Sequence, residues 1–420
     1  IGAQFYRKRA INILANVAES DFVIMPSRQQ PEGDKLPLVL RGNFNGQIDQ
    51  YRYVDKIWDS ATEVWAGNTP IDERMLPDTA VRYPFLTTSD LLTDSIVQLS
   101  GEIDSCHFFD GNVVNTGGLA KKGYLLPLTS TFFKYFNALD LTKRILGHNM
   151  LDIEENSDGS VKVSLRIPVK KKFIELSRTY LPISDASWQF DERRGTGRIV
   201  AHRVMSAAVF PFVRTNHRDN YTIQQFTQMR DGKCHLRFLA DGMNQAGITV
   251  VEGTRTDNAF CQTTYYDVDG SFDFIEVTLN CELGSFTAVA VPLWQPYVPS
   301  SKQLIFAVDF GTTNSHVEYA ERGRDSQPLD FSQSNEQTLV ATLLKPDALD
   351  SAETLQNVEF LPRTIGQTYG FPLRSALSTN QNSAGNALFR DVNIPFMYER
   401  KYFQGYSVHT GLKWNGDTTL

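Results

Sequence analysis

Apolar positions recur at two different periods along the chain, and the change from one to the other falls near Asp152. Before it, residues 4–18 set Phe5, Ala10, Ile11, Ile13, Leu14 and Val17 close to the spacing of a helix face. Residues 53–65 form a second helical candidate. Thr88-Ser89-Asp90 stands just before LLTDSIVQL, where a side-chain oxygen satisfies the open amides of a helix start. Residues 128–146 carry Phe132, Phe133, Tyr135 and Phe136, a cluster that reads as the core face of a helix, because aromatic rings are the largest apolar area a helix can bury.

Beyond Asp152 the period shortens to two. Val161, Val163, Leu165 and Ile167 alternate with Lys162, Ser164 and Arg166, the pattern of a strand with one buried face. Asp231-Gly232, between 221–229 and 233–239, suits the positive φ angles of a tight hairpin turn. Residues 271–279 and 285–293 predict two more strands around Glu282-Leu283-Gly284. Pro292, Pro296 and Pro299 then close the stretch, because proline cannot donate to a ladder. The pattern divides the chain into a mixed region over 1–151, an antiparallel, β-rich, sandwich-like domain over 152–298 and a further domain over 304–420. The fold class expected from this reading is α+β.

Composition adds mainly exclusions. The chain has 420 residues, 41% hydrophobic and 21% charged, with a net charge of -7, ordinary values for a globular chain with more than one core. Neither sign is concentrated in a long run, so there is no electrostatic reason to expect nucleic acid or an anionic membrane as a partner. Lys170-Lys171-Lys172 reads as a solvated turn or strand edge. Cys106, Cys234, Cys261 and Cys281 lack the spacings of a zinc site and read as free thiols. The neighbours Cys106-His107 and Cys234-His235 are not natural chelates on a strand, where adjacent side chains point to opposite faces. No apolar run approaches the roughly 18 residues of a membrane span, and the cytoplasm is the expected compartment. The chain opens at Ile1 without Met and is expected to be a fragment of a longer protein.

Chemistry is concentrated after Lys302. Leu304-Ile305-Phe306-Ala307-Val308 is wholly apolar and ends at Asp309; Phe310-Gly311-Thr312-Thr313-Asn314-Ser315 follows, and then a second strand-like run over 316–320. A strand, a small-polar turn and a returning strand make a hairpin whose tip presents amides and hydroxyls. Gly311 lets backbone approach a phosphate closely, and Thr312, Thr313 and Asn314 add donors. Asp309 is placed to hold a Mg²⁺-bound water, since magnesium prefers oxygen ligands and keeps several waters.

The string D-F-G-T-T-N-S resembles the phosphate-1 motif of the superfamily of actin, sugar kinases and heat-shock chaperones, and its wording is most similar to the DnaK-like chaperone branch. The resemblance implies an actin-like (ribonuclease H-like) ATPase domain beginning near residue 304, with ATP and Mg²⁺ as cofactors. Asp309 would be the magnesium-water carboxylate, and Gly311, Thr312, Thr313 and Asn314 would contact the β- and γ-phosphates. It also implies a third strand, expected at 371–377, and a catalytic lysine, for which Lys413 and Lys401 are candidates. The second phosphate motif and the adenosine loop would lie beyond Leu420, so residues 1–420 alone are expected to bind ATP weakly. Asn115-Thr116-Gly117-Gly118 precedes the hairpin and reads as an ordinary turn. The function implied is a chaperone-like, Mg²⁺-dependent ATPase with residues 1–300 engaging a protein partner. The alternatives are an interaction protein that uses nucleotide as a switch or not at all, and a small-molecule kinase.

Overall fold

The computed structural model describes residues 38–40, 51–53, 70–73, 85–114, 121–169, 172–191, 195–201, 205–215, 219–228, 232–243, 247–257, 261–294, 301–311, 314–329, 341–345, 373–380, 396–398 and 406–409. The helix expected at 4–18 lies outside them. So does the one at 53–65, apart from Tyr53 at the end of strand Tyr51–Tyr53. Two compact units divide the chain: 1–203 with 235–246 and 272–292, and 204–234 with 247–271 and 293–420.

In the first unit a five-stranded sheet runs in the order Ser95–Gln98, Gly197–Ala201, Lys172–Leu181, Val161–Val169, Leu151–Glu155. The first three strands are parallel and the rest antiparallel. The predicted alternation holds on one face, where Val161, Val163, Leu165 and Ile167 are wholly buried. The other face is only partly solvated. Arg166 donates to Asp152 and to Glu175 (Nε to Oε2, 3.2 Å), and Lys162 donates to Glu175 Oε1 (3.2 Å). This ion network lets Ser164 and Arg166 be buried as well.

The core of this unit gathers Leu91, Ile96, Leu126, Val163 and Tyr180 around the predicted aromatic cluster. Phe132 stacks on Phe136 (4.8 Å) and meets Phe133 edge-on (5.0 Å), and Phe133 stacks on Phe274 of the hairpin Phe274–Cys281/Gly284–Ala290 (3.7 Å). Each such ring contributes about 1.5–3 kcal/mol on burial.

Two helical expectations are corrected here. The aromatic segment is not one long helix but the four residues Phe132–Tyr135, followed by a 3-10 turn Ala138–Thr142. Phe136 is extended (φ -128°, ψ 150°), and Asp140 Oδ2 accepts the Asn137 N–H (2.8 Å), starting a new turn in place of continuing the old. The cap signal at 88–90 does start a helix, but one confined to Thr88–Leu91, with Asp90 accepting the Thr87 N–H (2.7 Å). The following SIVQ is strand, because Ile96 and Val97 are β-branched and buried in the parallel part of the sheet.

The second unit holds a sheet ordered Thr249–Asp257, Cys261–Asp269, Asn220–Gln228, Met205–Phe210, Ala341–Thr342, antiparallel throughout. Asn220–Gln228 pairs with Met205–Phe210 and Cys261–Asp269, while Lys233–Leu239 pairs beside Phe274–Cys281. The hairpin expected across Asp231-Gly232 therefore does not form. Turn chemistry permits a hairpin, and the better ladder on each side overrides it.

The fold class is corrected from α+β with an actin-like domain to mostly β. Among the described residues the α-helices are two, of four residues each, against twenty-six strands. The apolar run at 304–308, which alone suggests a strand buried between helices, is open to solvent: Leu304, Ile305, Phe306 and Val308 are 43%, 65%, 55% and 63% exposed.

Candidate functional site

The run after Lys302 forms strand Leu304–Phe310, paired antiparallel with Asn314–Glu321 from Leu304↔Glu321 to Phe310↔Ser315. This is the hairpin expected from the apolar, polar, apolar pattern. No helix begins at Gly311, and strand resumes at Asn314. Leu373–Asn380, anticipated at 371–377, adds to the far side of Asn314–Glu321 through Asn314↔Arg374 and Ser315↔Leu373. Three strands thus fix the tip from two sides of the returning strand.

At the tip, Asp309 is exposed at the end of its strand and stands opposite His316, while Ala307 stands opposite Glu318. Directly opposed residues share a face, so Asp309, His316 and Glu318 line one side of the hairpin. His316 Nε2–H donates to Glu318 Oε1 (3.0 Å). That bond, with a second from Ser326, holds the Glu318 carboxyl below its ordinary 4.5. The chain's residue-by-residue reading did not single out His316 or Glu318. Their signal is the two-residue alternation after the turn, which puts 316 and 318 on the Asp309 face once the register is known.

Of the expected phosphate contacts, Gly311 is half-buried beside Asp309, and Asn314 opens the second strand. Thr312 and Thr313 lie outside the described residues, as do Lys413, Lys401 and the Asn115–Gly118 turn. Among the described residues no group of three or more His, Cys, Asp and Glu side chains is placed to hold a metal ion. The residues present fit Mg²⁺ only in the manner that ion often adopts, with one carboxylate, retained waters and the oxygens of a bound phosphate.

Elsewhere, Cys106, Cys234 and Cys281 are free thiols. Cys106 is exposed, Cys281 half-buried, and burial pushes the Cys234 thiol up to about 12. His107 Nδ1 pairs with Asp104 Oδ2 (2.9 Å), which ties the buried ring into its turn. Among the described residues no helix is long and apolar enough to cross a membrane.

No family model, curated protein or solved structure matches the chain. The functional reading therefore rests on the hairpin's own residues.

Proposed function

We propose that the hairpin tip 309–315 binds the phosphates of ATP with Mg²⁺, Asp309 holding the ion through water and Gly311 admitting the phosphate to the backbone. The observation that supports this reading is the hairpin itself: a paired strand closes at Phe310 with Asp309 exposed just before its end, and the half-buried Gly311 follows. Backbone amides at such a turn present a concave set of donors to an anion, and the tip sequence resembles a phosphate-1 motif. The free thiols support a reducing, cytoplasmic setting as part of the same reading.

Asp309→Asn removes the charge and keeps the shape, so Mg²⁺ should lose most of its effect on ATP binding while the fold is retained. Gly311→Val fills the approach to the backbone, so binding should fall with or without Mg²⁺. Equilibrium dialysis with labelled ATP, run with and without the ion, reads both. Parental binding by both variants would transfer the weight to a second reading. That reading is an interaction protein without nucleotide, and it is favoured by the apolar strand exposed on both faces.

A further inference from the structure

The strand Leu304–Phe310 lies at the end of its sheet and, among the described residues, pairs with Asn314–Glu321 alone. A long apolar edge strand is the kind of surface that soluble proteins cover, charge or shorten. Here Leu304, Phe306 and Val308 stand on one face and Ile305 on the other, and all are exposed.

The outward backbone groups follow from the ladder. Arg322 N–H donates to the Gln303 carbonyl (3.0 Å), and the Val317 carbonyl, opposite Val308, is taken by Leu329 N–H (2.9 Å) on the other side. Antiparallel pairs alternate between bonded and non-bonded. Residues 303, 305, 307 and 309 therefore face Asn314–Glu321, and the N–H and C=O groups of Leu304, Phe306 and Val308 face the open edge.

We propose that this edge pairs antiparallel with the same strand of a second copy of the chain, about a two-fold axis at Phe306. Symmetry restricts the register. A two-fold between antiparallel strands runs normal to the sheet, so opposed residues share a face and lie an even number of positions apart. Centring on Phe306 sets Leu304 against Val308, Ile305 against Ala307 and Gln303 against Asp309. Gln303 already accepts from Arg322 Nη1 through its Oε1 (3.0 Å), which leaves its amide N–H groups to donate to the carboxylate. Centring on Ile305 would set Lys302 against Val308, and centring on Ala307 would set Ile305 against Asp309. From Gln303 to Asp309 only the Phe306 register matches apolar with apolar and polar with polar; Phe310, the last residue of the strand, then stands against Lys302. The register engages Asp309, which the nucleotide reading also uses, but the oligomeric state is read without nucleotide.

Sedimentation equilibrium of the whole chain across a wide concentration range should show a reversible dimer. Phe306→Pro removes an N–H that faces the edge and leaves the hairpin ladder intact, so it should give monomer with an unchanged circular dichroism spectrum. In a Cys106→Ser background, Phe306→Cys should form an intermolecular disulfide under mild oxidation, because bonded cross-strand Cα atoms stand about 5.5 Å apart, within the disulfide range of about 4.4–6.8 Å. Ile305→Cys, facing Ala307, should form little. The proposal is overturned if the parent chain is monomeric throughout, including the case in which a different protein takes the edge. A dimer indifferent to Phe306→Pro, or equal cross-linking at 305 and 306, overturns it as well.

Discussion

At Arg198 a buried guanidinium is held by rings more than by acceptors. Nη2 donates to the Leu283 carbonyl (2.7 Å), and the charge lies 4.7 Å from the Phe286 ring and 5.2 Å from that of Trp188. Among the described residues, Nε and Nη1 find no hydrogen-bond partner. Cation–π contact contributes about 2 kcal/mol when desolvated, while each unmet donor costs about 1–3 kcal/mol. Arg198→Met, which keeps the stem and drops the charge, should therefore leave the urea midpoint unchanged or raised. A loss above about 2 kcal/mol would show that the charge stabilises the fold. The Arg166 network behaves oppositely. Burial pushes the Glu175 carboxyl up, but the hydrogen bond and charge of Lys162 and the charge of Arg166 outweigh it and hold it below 4.5. A depressed carboxylate stabilises the fold above its unfolded pKa and loses that contribution as pH falls through the folded value. Urea midpoints measured from neutral pH downward should thus drop below pH 4.5, and Glu175→Gln should flatten that limb. The alternation at 161–167 was readable as a strand, but polar residues on its second face could not be told from a solvated face. Only the register that brings Asp152 and Glu175 beside Arg166 makes the difference.

The turns carry the clearest demands at the level of elements. Gly270 sits at φ 118°, and a Cβ there would lie 2.3 Å from the Gly247 carbonyl oxygen. Its N–H donates to the Asp219 carbonyl (2.8 Å), and the Asp219 carboxylate takes bonds from Thr215 and from Ser271 Oγ (2.8 Å). Gly270→Ala combines a strained φ with a steric clash and should cost about 2 kcal/mol or more, read as a shift in urea midpoint. Local signals located several elements well. The strand 161–169, the hairpin closed at Gly284 and the hairpin 304–321 stand where the pattern put them, within a few residues, whereas the signal at 88–90 falls inside a single helical turn that stops at Leu91. They failed where a tertiary partner decides. Asp231-Gly232 joins two strands that pair elsewhere, and the aromatic run at 132–136 satisfies a core without extending into a helix.

For the molecule as a whole, the correction is one of class. Helical spacing in the first 151 residues overstates helix, and the wholly apolar run at 304–308 alone reads as a buried strand. The described residues are instead mostly β, with that strand in the open. What holds is local: a strand with an exposed Asp309 next to its last residue and a returning strand that brings His316 and Glu318 to the same face. The central claim is that this tip binds Mg·ATP through its phosphates. It is tested most directly by following the backbone amide resonances of residues 309–316 during titration with Mg·ATP, a measurement that registers weak as well as tight binding. The account predicts shifts concentrated in these residues, dependent on Mg²⁺ in the parent chain and reduced in Asp309→Asn and Gly311→Val. Resonances at the tip that stay in place at saturating Mg·ATP, or that move equally in both variants, would contradict it.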